Sequence, residues 1–426
     1  MEQNKKSFVD SLVVGAALFS MFFGAGNMIF PPYLGLQTGS HWALAFGAYY
    51  LADIGLALVT LVALIRNRGY EAVLAPAGHK LSLILMSLIV LCLGPFIAIP
   101  RTAATTYELA VIPLLGDRLP TVVFCVLFFL IVLLLSINEN SVVDIVGKVL
   151  TPLLFVGLLV LILLGIIHPL GPTDTAAQVE NVVAAGTQSG YQTMDALASL
   201  LFGAIIFNSV ANRGHKNPED QMRVSLKAGL IAGLGLFIVY LGLTYLGATA
   251  STLYPASMDR TQLLICLIQE LIPGQLGVAF FGVVVCLACL TTSIALTSSA
   301  GDYFSSISGG KLSYKSICVA VCVFSAAVSS IGTETIIAFA SPILSILYPP
   351  MVVLVFSSFL GKRLGLWGHR AAALAACLCG CLEVLAGFGL LPIYVALLPL
   401  GELGFGWLLP TLAAGLVGHL LSRKKA

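Results

Sequence analysis

"SMFFGAGNMIFPP", residues 20–32, interrupts an apolar stretch that runs from about Phe8 to Leu36 and otherwise reads as one membrane-spanning helix. Gly24, Gly26 and Asn27 fall in its middle, with Pro31 and Pro32 just beyond. Glycine and asparagine weaken a helix, and an amide side chain in apolar surroundings needs hydrogen-bond partners. A helix that opens here exposes N–H groups at the start of its second half, where the positive dipole end attracts a carboxylate. Glycine at 24 and 26 lets the backbone approach a ligand with no β-carbon in the way. Carbonyls left free near Ser20 and Phe23 suit a bare cation. The plain alternative is a small-residue packing face, which explains neither Asn27 nor the two prolines.

The rest of the chain fixes the setting. Of 426 residues, 59% are apolar and 9% charged, and mean hydropathy is +1.02. A soluble domain carries about 25% charged residues. Apolar runs of helical length recur from end to end, without the short alternating segments of a transmembrane barrel. The reading is an all-α polytopic membrane protein with about twelve transmembrane helices. A net charge of +2 points to no acidic partner and no nucleic acid. The ten cysteines lie in or beside apolar stretches, lack metal-ligand spacing, and read as small apolar residues. The basic N-terminus leads into a first helix rather than a cleaved signal peptide.

Basic residues orient the spans. Eighteen of the 21 lysines and arginines fall at alternate span ends, and the opposite loops keep only Arg101, Arg118 and Arg260. The positive-inside rule then makes both termini cytoplasmic. In the external loop at 251–275, "MDRTQLLICLIQELI" has amphipathic spacing but is too short to span, and reads as a helix over the mouth of the bundle.

Two five-span halves overlay. Phe23-Gly24-Ala25 in span 1 answers Phe202-Gly203-Ala204 in span 6, and Thr151-Pro152-Leu153-Leu154 answers Ser341-Pro342-Ile343-Leu344. An odd number of spans per repeat inverts the second half. The expected organisation is a five-plus-five inverted repeat, residues 8–168 and 193–360, with broken helices 1 and 6. Two appended helices follow at 370–422. In such folds the substrate sits at the breaks.

Span 8 reads "VVCLACLTTSIALTSSAGDYF", residues 284–304. Ala288, Thr291, Thr292, Ala295 and Ser299 share one helix face that is small and hydroxyl-rich. Thr291 and Thr292 can offer two oxygens to one hard cation. Alternatively, each hydroxyl bonds back to its own helix.

Four phrases carry a family resemblance: "FFGAGNMIFPPYLGLQTG", "GPFIAIPRTAATTYE", "TMDALASLLFGAIIFNSV" and "CLTTSIALTSS". In motif order, length and span count the whole chain resembles the bacterial branched-chain amino acid:cation symporters, which share the leucine-transporter-type fold. The resemblance implies uptake of leucine, isoleucine and valine across the inner membrane, coupled to sodium or, in some members, to protons. It implies no enzymatic activity and no cofactor beyond the coupling ion. Carried over by position, it implies sodium ligands at the carbonyls of Ser20, Phe23 and Ala288 and the hydroxyls of Thr291 and Thr292. Substrate-carboxylate contacts fall to the amides around Ala25 and Gly26. Leu197 stands where a second sodium site needs a hydroxyl, so one sodium per cycle is expected.

Around these positions Phe22, Gly24, Asn27, Ala198, Ser199 and Phe202 complete the expected substrate site, with apolar members suited to an aliphatic side chain. No acid lies in residues 20–27, so carbonyls at the two breaks are expected to meet the substrate amine. Arg101 and Glu108 are gate candidates, since an intramembrane arginine is costly unless paired. The alternative for Arg101 is snorkelling to the headgroups. Asp53, Asp195, Asp302 and Glu383 are candidate proton carriers, but Asp195 and Asp302 sit near span ends and read rather as cap or gate residues. Lys148 is the titrating group that a proton-driven rival needs, although a lysine there can also snorkel. A channel lacks a repeated filter here, an enzyme lacks a catalytic pair, and an amino-acid sensor of the same fold stays open.

Overall fold

The apolar stretch at residues 8–36 folds as two helices, α1 (Glu2–Phe22) and α2 (Ala25–Thr38), separated at Phe23 and Gly24. Gly24 caps α2 with an extended backbone, φ −119° and ψ −163°. Asn27, at the third position of α2, turns its carbonyl oxygen back to accept the Gly24 N–H at 3.2 Å. One side chain therefore closes the start of the second half in the manner of a capping box. The architecture is that of a computed structural model, which describes residues 2–137, 151–215, 217–390 and 398–423.

Among the described residues every regular element is helical. The second apolar stretch runs as α3 (Trp42–Tyr50), a π-helical turn at Leu51–Gly55 and α4 (Leu56–Asn67). The third runs as α5 (His79–Leu91) and α6 (Ala98–Thr106), joined by a π-helical turn at Cys92–Phe96 where Gly94 leaves helical geometry before Pro95. Then come α7 (Thr121–Ser136), α8 (Thr151–Ile167), α9 (Val182–Thr193) and α10 (Asp195–Asn212). The remainder is α11 (Pro218–Thr249), α12 (Arg260–Leu271), α13 (Gln275–Ile307), α14 (Tyr314–Ser329), α15 (Thr333–Ser358), α16 (Leu366–Gly387) and α17 (Leu408–Arg423).

The sixth span differs from its sequence reading. Its helix starts at Val182 rather than 193, and it breaks at Met194, a non-glycine residue in the left-handed region at φ 70°. The word Phe202-Gly203-Ala204, matched in sequence to the break in span 1, lies inside the continuous α10. A β-carbon at Gly203 would sit 2.6 Å from Leu64 Cδ1. That glycine serves packing against α4. Nothing in local propensity marks Met194, because its conformation is imposed by the helices around it.

Polarity is distributed for a membrane. α7 exposes Val122, Val126, Leu127, Leu130 and Leu134 while burying Cys125, Phe128, Phe129 and Val132. α11 runs beside both halves of the broken helix, with buried Leu236, Tyr240 and Leu243. α12 is an amphipathic helix, capped by Asp259 and burying Leu263, Leu264, Leu267 and Ile268. Among the described residues the cysteines form no disulfide.

Candidate functional site

The last carbonyls of α1 cannot find N–H partners in their own helix, because the chain departs at Phe23. Two hydroxyls from α13 come to them. Thr292 Oγ1 donates toward the carbonyls of Met21 and Phe23 at 3.3 and 3.4 Å. Thr291 Oγ1 lies 3.2 Å from the Ser20 carbonyl and 2.9 Å from the Ala288 carbonyl of its own helix. Ser20 Oγ donates to Thr291 Oγ1 at 3.3 Å. The structure thus brings Ser20, Phe23, Ala288, Thr291 and Thr292 into one oxygen cluster, and adds the Met21 carbonyl, which sequence reasoning missed. Both local readings of the threonines are partly right. Thr291 bonds back to its own helix as well as across the gap, whereas the recorded bonds of Thr292 all cross it. Such an oxygen set is what a hard cation takes.

Beside the cluster lies a cavity lined by Phe22, Gly24, Ala25, Gly26, Asn27, Arg101, Asp195, Ala198 and Phe202 among others. Its solvent-sized space is about 20 Å³, room for about one water. A larger ligand therefore requires the surrounding helices to part. The Phe22 and Phe202 rings, 5.4 Å apart, form one apolar wall. Ser199 lies nearby on α10, with its hydroxyl donated to the Asp195 carbonyl.

The opposite wall is strongly polar. Asn27 Nδ2 donates to Asp195 Oδ2 at 2.8 Å and to the Tyr240 hydroxyl. Tyr240 in turn approaches Asp195 Oδ2 at 3.4 Å. Thr193 Oγ1 donates to Asp53 Oδ1 at 2.7 Å, and Asp53 Oδ2 is buried without a hydrogen-bond partner. The buried amide of Asn27 is thereby satisfied on both its ends, which answers the question its presence in an apolar stretch raises. The break in span 1 is not free of acid. Asp195 and Asp53 come from spans 6 and 2, so no inspection of residues 20–27 could show them. Asp195 is a buried residue at the first position of α10, not a span-end cap at the membrane surface. Asp53 sits in the π-helical turn at Leu51–Gly55, a local device that turns a side chain inward.

Arg101 does not snorkel. It is 3% exposed, and its Nη1 donates to the Gln192 carbonyl at 2.7 Å, at the C-terminal end of α9. A β-carbon at Gly26 would lie 2.6 Å from Arg101 Nη2. That glycine therefore admits a guanidinium to the start of α2. Arg101 and Glu108 do not pair. Glu108 instead accepts the Thr333 N–H at 2.9 Å. Near it, Arg260 forms an ion pair with Glu334 and lies 4.4 Å above the Tyr33 ring. Lys148 lies outside the described residues.

Residues 7–425 match the profile of a family described as "Branched-chain amino acid transport protein". The chain belongs to this family. Within it, the chain is 37% identical over 429 residues to a branched-chain amino acid permease, BraB, of Bacillus subtilis (strain 168), covering 97% of this chain and 95% of that one. It is equally 37% identical, over 431 residues and 97% of each chain, to the branched-chain amino acid transport system 3 carrier protein of Pseudomonas aeruginosa. Among solved structures it shares the fold of Mhp1, a nucleobase-cation-symport-1 family transporter, in a closed conformation. The TM-score is 0.66 at 14% identity, over 97% of this chain and 93% of that one. The fold is therefore the leucine-transporter type, and the chain is a membrane-embedded transporter rather than an enzyme.

Proposed function

We propose that this protein is a sodium-coupled importer of leucine, isoleucine and valine, working by alternating access in a bacterial inner membrane with both termini in the cytoplasm. Family membership supports the substrate class. The observation that carries the coupling is the convergence of Thr292 Oγ1 on the Met21 and Phe23 carbonyls at the end of a broken helix. An ion there ties α1 to α13, and its departure releases them. The substrate occupies the adjoining cavity, its aliphatic side chain toward Phe22, Ala198 and Phe202 and its carboxylate toward Gly24, Ala25 and Gly26. In this reading residues 8–168 and 193–360 are the inverted repeats, with 370–422 appended.

One observation favours a second reading, proton coupling: the carboxyl groups of Asp53 and Asp195 are both buried beside the cavity. Purified protein in liposomes separates the two. An inward sodium gradient at equal pH is expected to concentrate radiolabelled leucine, isoleucine and valine, but not lysine or glutamate. Accumulation driven by a pH gradient and indifferent to sodium would select the proton reading. Accumulation of lysine or glutamate alone would overturn the substrate class.

A further inference from the structure

Arg101 and Asp195 line the same cavity, and both are 3% exposed. Yet among the described residues no carboxylate comes within ion-pair distance of the Arg101 guanidinium. A guanidinium and a carboxyl group are thus taken out of water and held apart. This is an expensive arrangement unless something passes between them, since a buried charge needs a partner of opposite sign.

The supports of each charge point the same way. Asn27 and Tyr240 both hold Oδ2 of Asp195 and fix the carboxylate beside the break of span 1. Arg101 is anchored through Nη1 on the Gln192 carbonyl, while Nη2 faces the α-carbon of Gly26 at the start of α2. Its Nε is buried without a partner. The cavity therefore has a cationic side, where Arg101 reinforces the positive end of α2, and an anionic side at Asp195. Phe22 and Phe202 make it apolar elsewhere.

We infer that Arg101 and Asp195 read the two charges of a zwitterion, Arg101 facing the substrate carboxylate and Asp195 its ammonium. This assignment rests on the proposed amino-acid substrate and deepens it. It replaces the expectation that backbone carbonyls alone meet the amine. Asp53, bonded to Thr193 beside the Met194 turn, is a positioning residue for this arrangement.

The test compares leucine with two analogues that each lack one charge, 4-methylpentanoate (no ammonium) and 3-methylbutan-1-amine (no carboxylate), by calorimetric titration of the purified full-length protein in sodium. The native protein is expected to bind leucine at least 100-fold more tightly than either analogue. In Asp195→Asn, leucine affinity should fall 30-fold or more while that for 4-methylpentanoate stays within threefold. Arg101→Gln should show the mirror pattern, sparing 3-methylbutan-1-amine. Native discrimination below tenfold overturns the assignment without any variant, so a misfolded substitution cannot shelter it. Leucine affinity unchanged in a folded Asp195→Asn protein overturns it as well. Failure of the native protein to bind leucine at all overturns the substrate reading and this assignment together, whereas the other results leave the substrate reading standing.

Discussion

Gly24 and Thr292 meet across the break in the first span: a β-carbon on Gly24 would lie 3.0 Å from Thr292 Oγ1. The residue that caps the second half-helix and the hydroxyl that faces the free carbonyls at the end of the first occupy adjoining space. Gly24→Ala should therefore push Thr292 off the Met21 and Phe23 carbonyls. The expected result is a three- to tenfold rise in the sodium concentration for half-maximal leucine uptake, with little change in the leucine requirement at saturating sodium. Ion-titrated uptake in liposomes measures both. An unchanged sodium requirement would separate the break from the ion.

The two threonines should differ. Thr292 donates only across the gap, whereas Thr291 also bonds to the Ala288 carbonyl. Thr292→Ala is expected to weaken sodium activation about tenfold, which corresponds to about 1.4 kcal/mol. Thr292→Ser, which keeps the oxygen, should restore most of it. Equal losses in the serine and alanine variants would mean that the methyl group matters and the hydroxyl does not.

At Gly26 the obstacle is a charge. Any side chain meets Arg101 Nη2, at 2.6 Å even for a single β-carbon. Gly26→Ala should displace the guanidinium and reduce leucine binding at least tenfold, and Gly26→Leu should abolish it, with the protein still monodisperse on size exclusion. Near-native leucine affinity in Gly26→Leu would return this glycine to a packing role.

Arg260 and Glu334 test a different layer. Their side chains are 24% and 37% exposed, so the ion pair should contribute no more than about 1 kcal/mol to stability. Its position is more telling. Arg260 reaches Phe30 and Tyr33 on α2 and pairs with Glu334 on α15, so it links α12 to α2, which borders the site, and to α15. Arg260→Ala should shift thermal unfolding by only a few degrees while raising the labelling rate of a cysteine placed at Ala98, inside the cavity, by fivefold or more. A large loss of stability with unchanged labelling would make the pair structural.

The membrane class, the helical build and the break in the first span follow from residues 8–36 and from composition. Each depends on local physics: apolar length, glycine at a helix opening, and an amide that must be satisfied. Thr291 and Thr292 were legible for a similar reason, because helical spacing alone puts them on one small-residue face. The second break was not legible. Met194 carries no glycine or proline signal, and its left-handed backbone exists because packing holds it there. The short word around Gly203 misled for the same reason, since glycine serves close packing as readily as a break.

The charged half of the site was decided only by the tertiary structure. Asn27 and Asp195 are 168 positions apart in the chain, and Asp53 and Thr193 are 140 apart. A search near the first break finds no acid because the acids arrive from other spans. Sequence placed Arg101 within the apolar part of a span but could not say whether it snorkels or pairs. That choice depends on which backbone carbonyls the fold leaves unbonded, and the end of α9 leaves the Gln192 carbonyl facing it. Local pattern thus determined where the helix must open, while long-range packing determined which charges fill the opening, because only folding brings distant spans within hydrogen-bond reach.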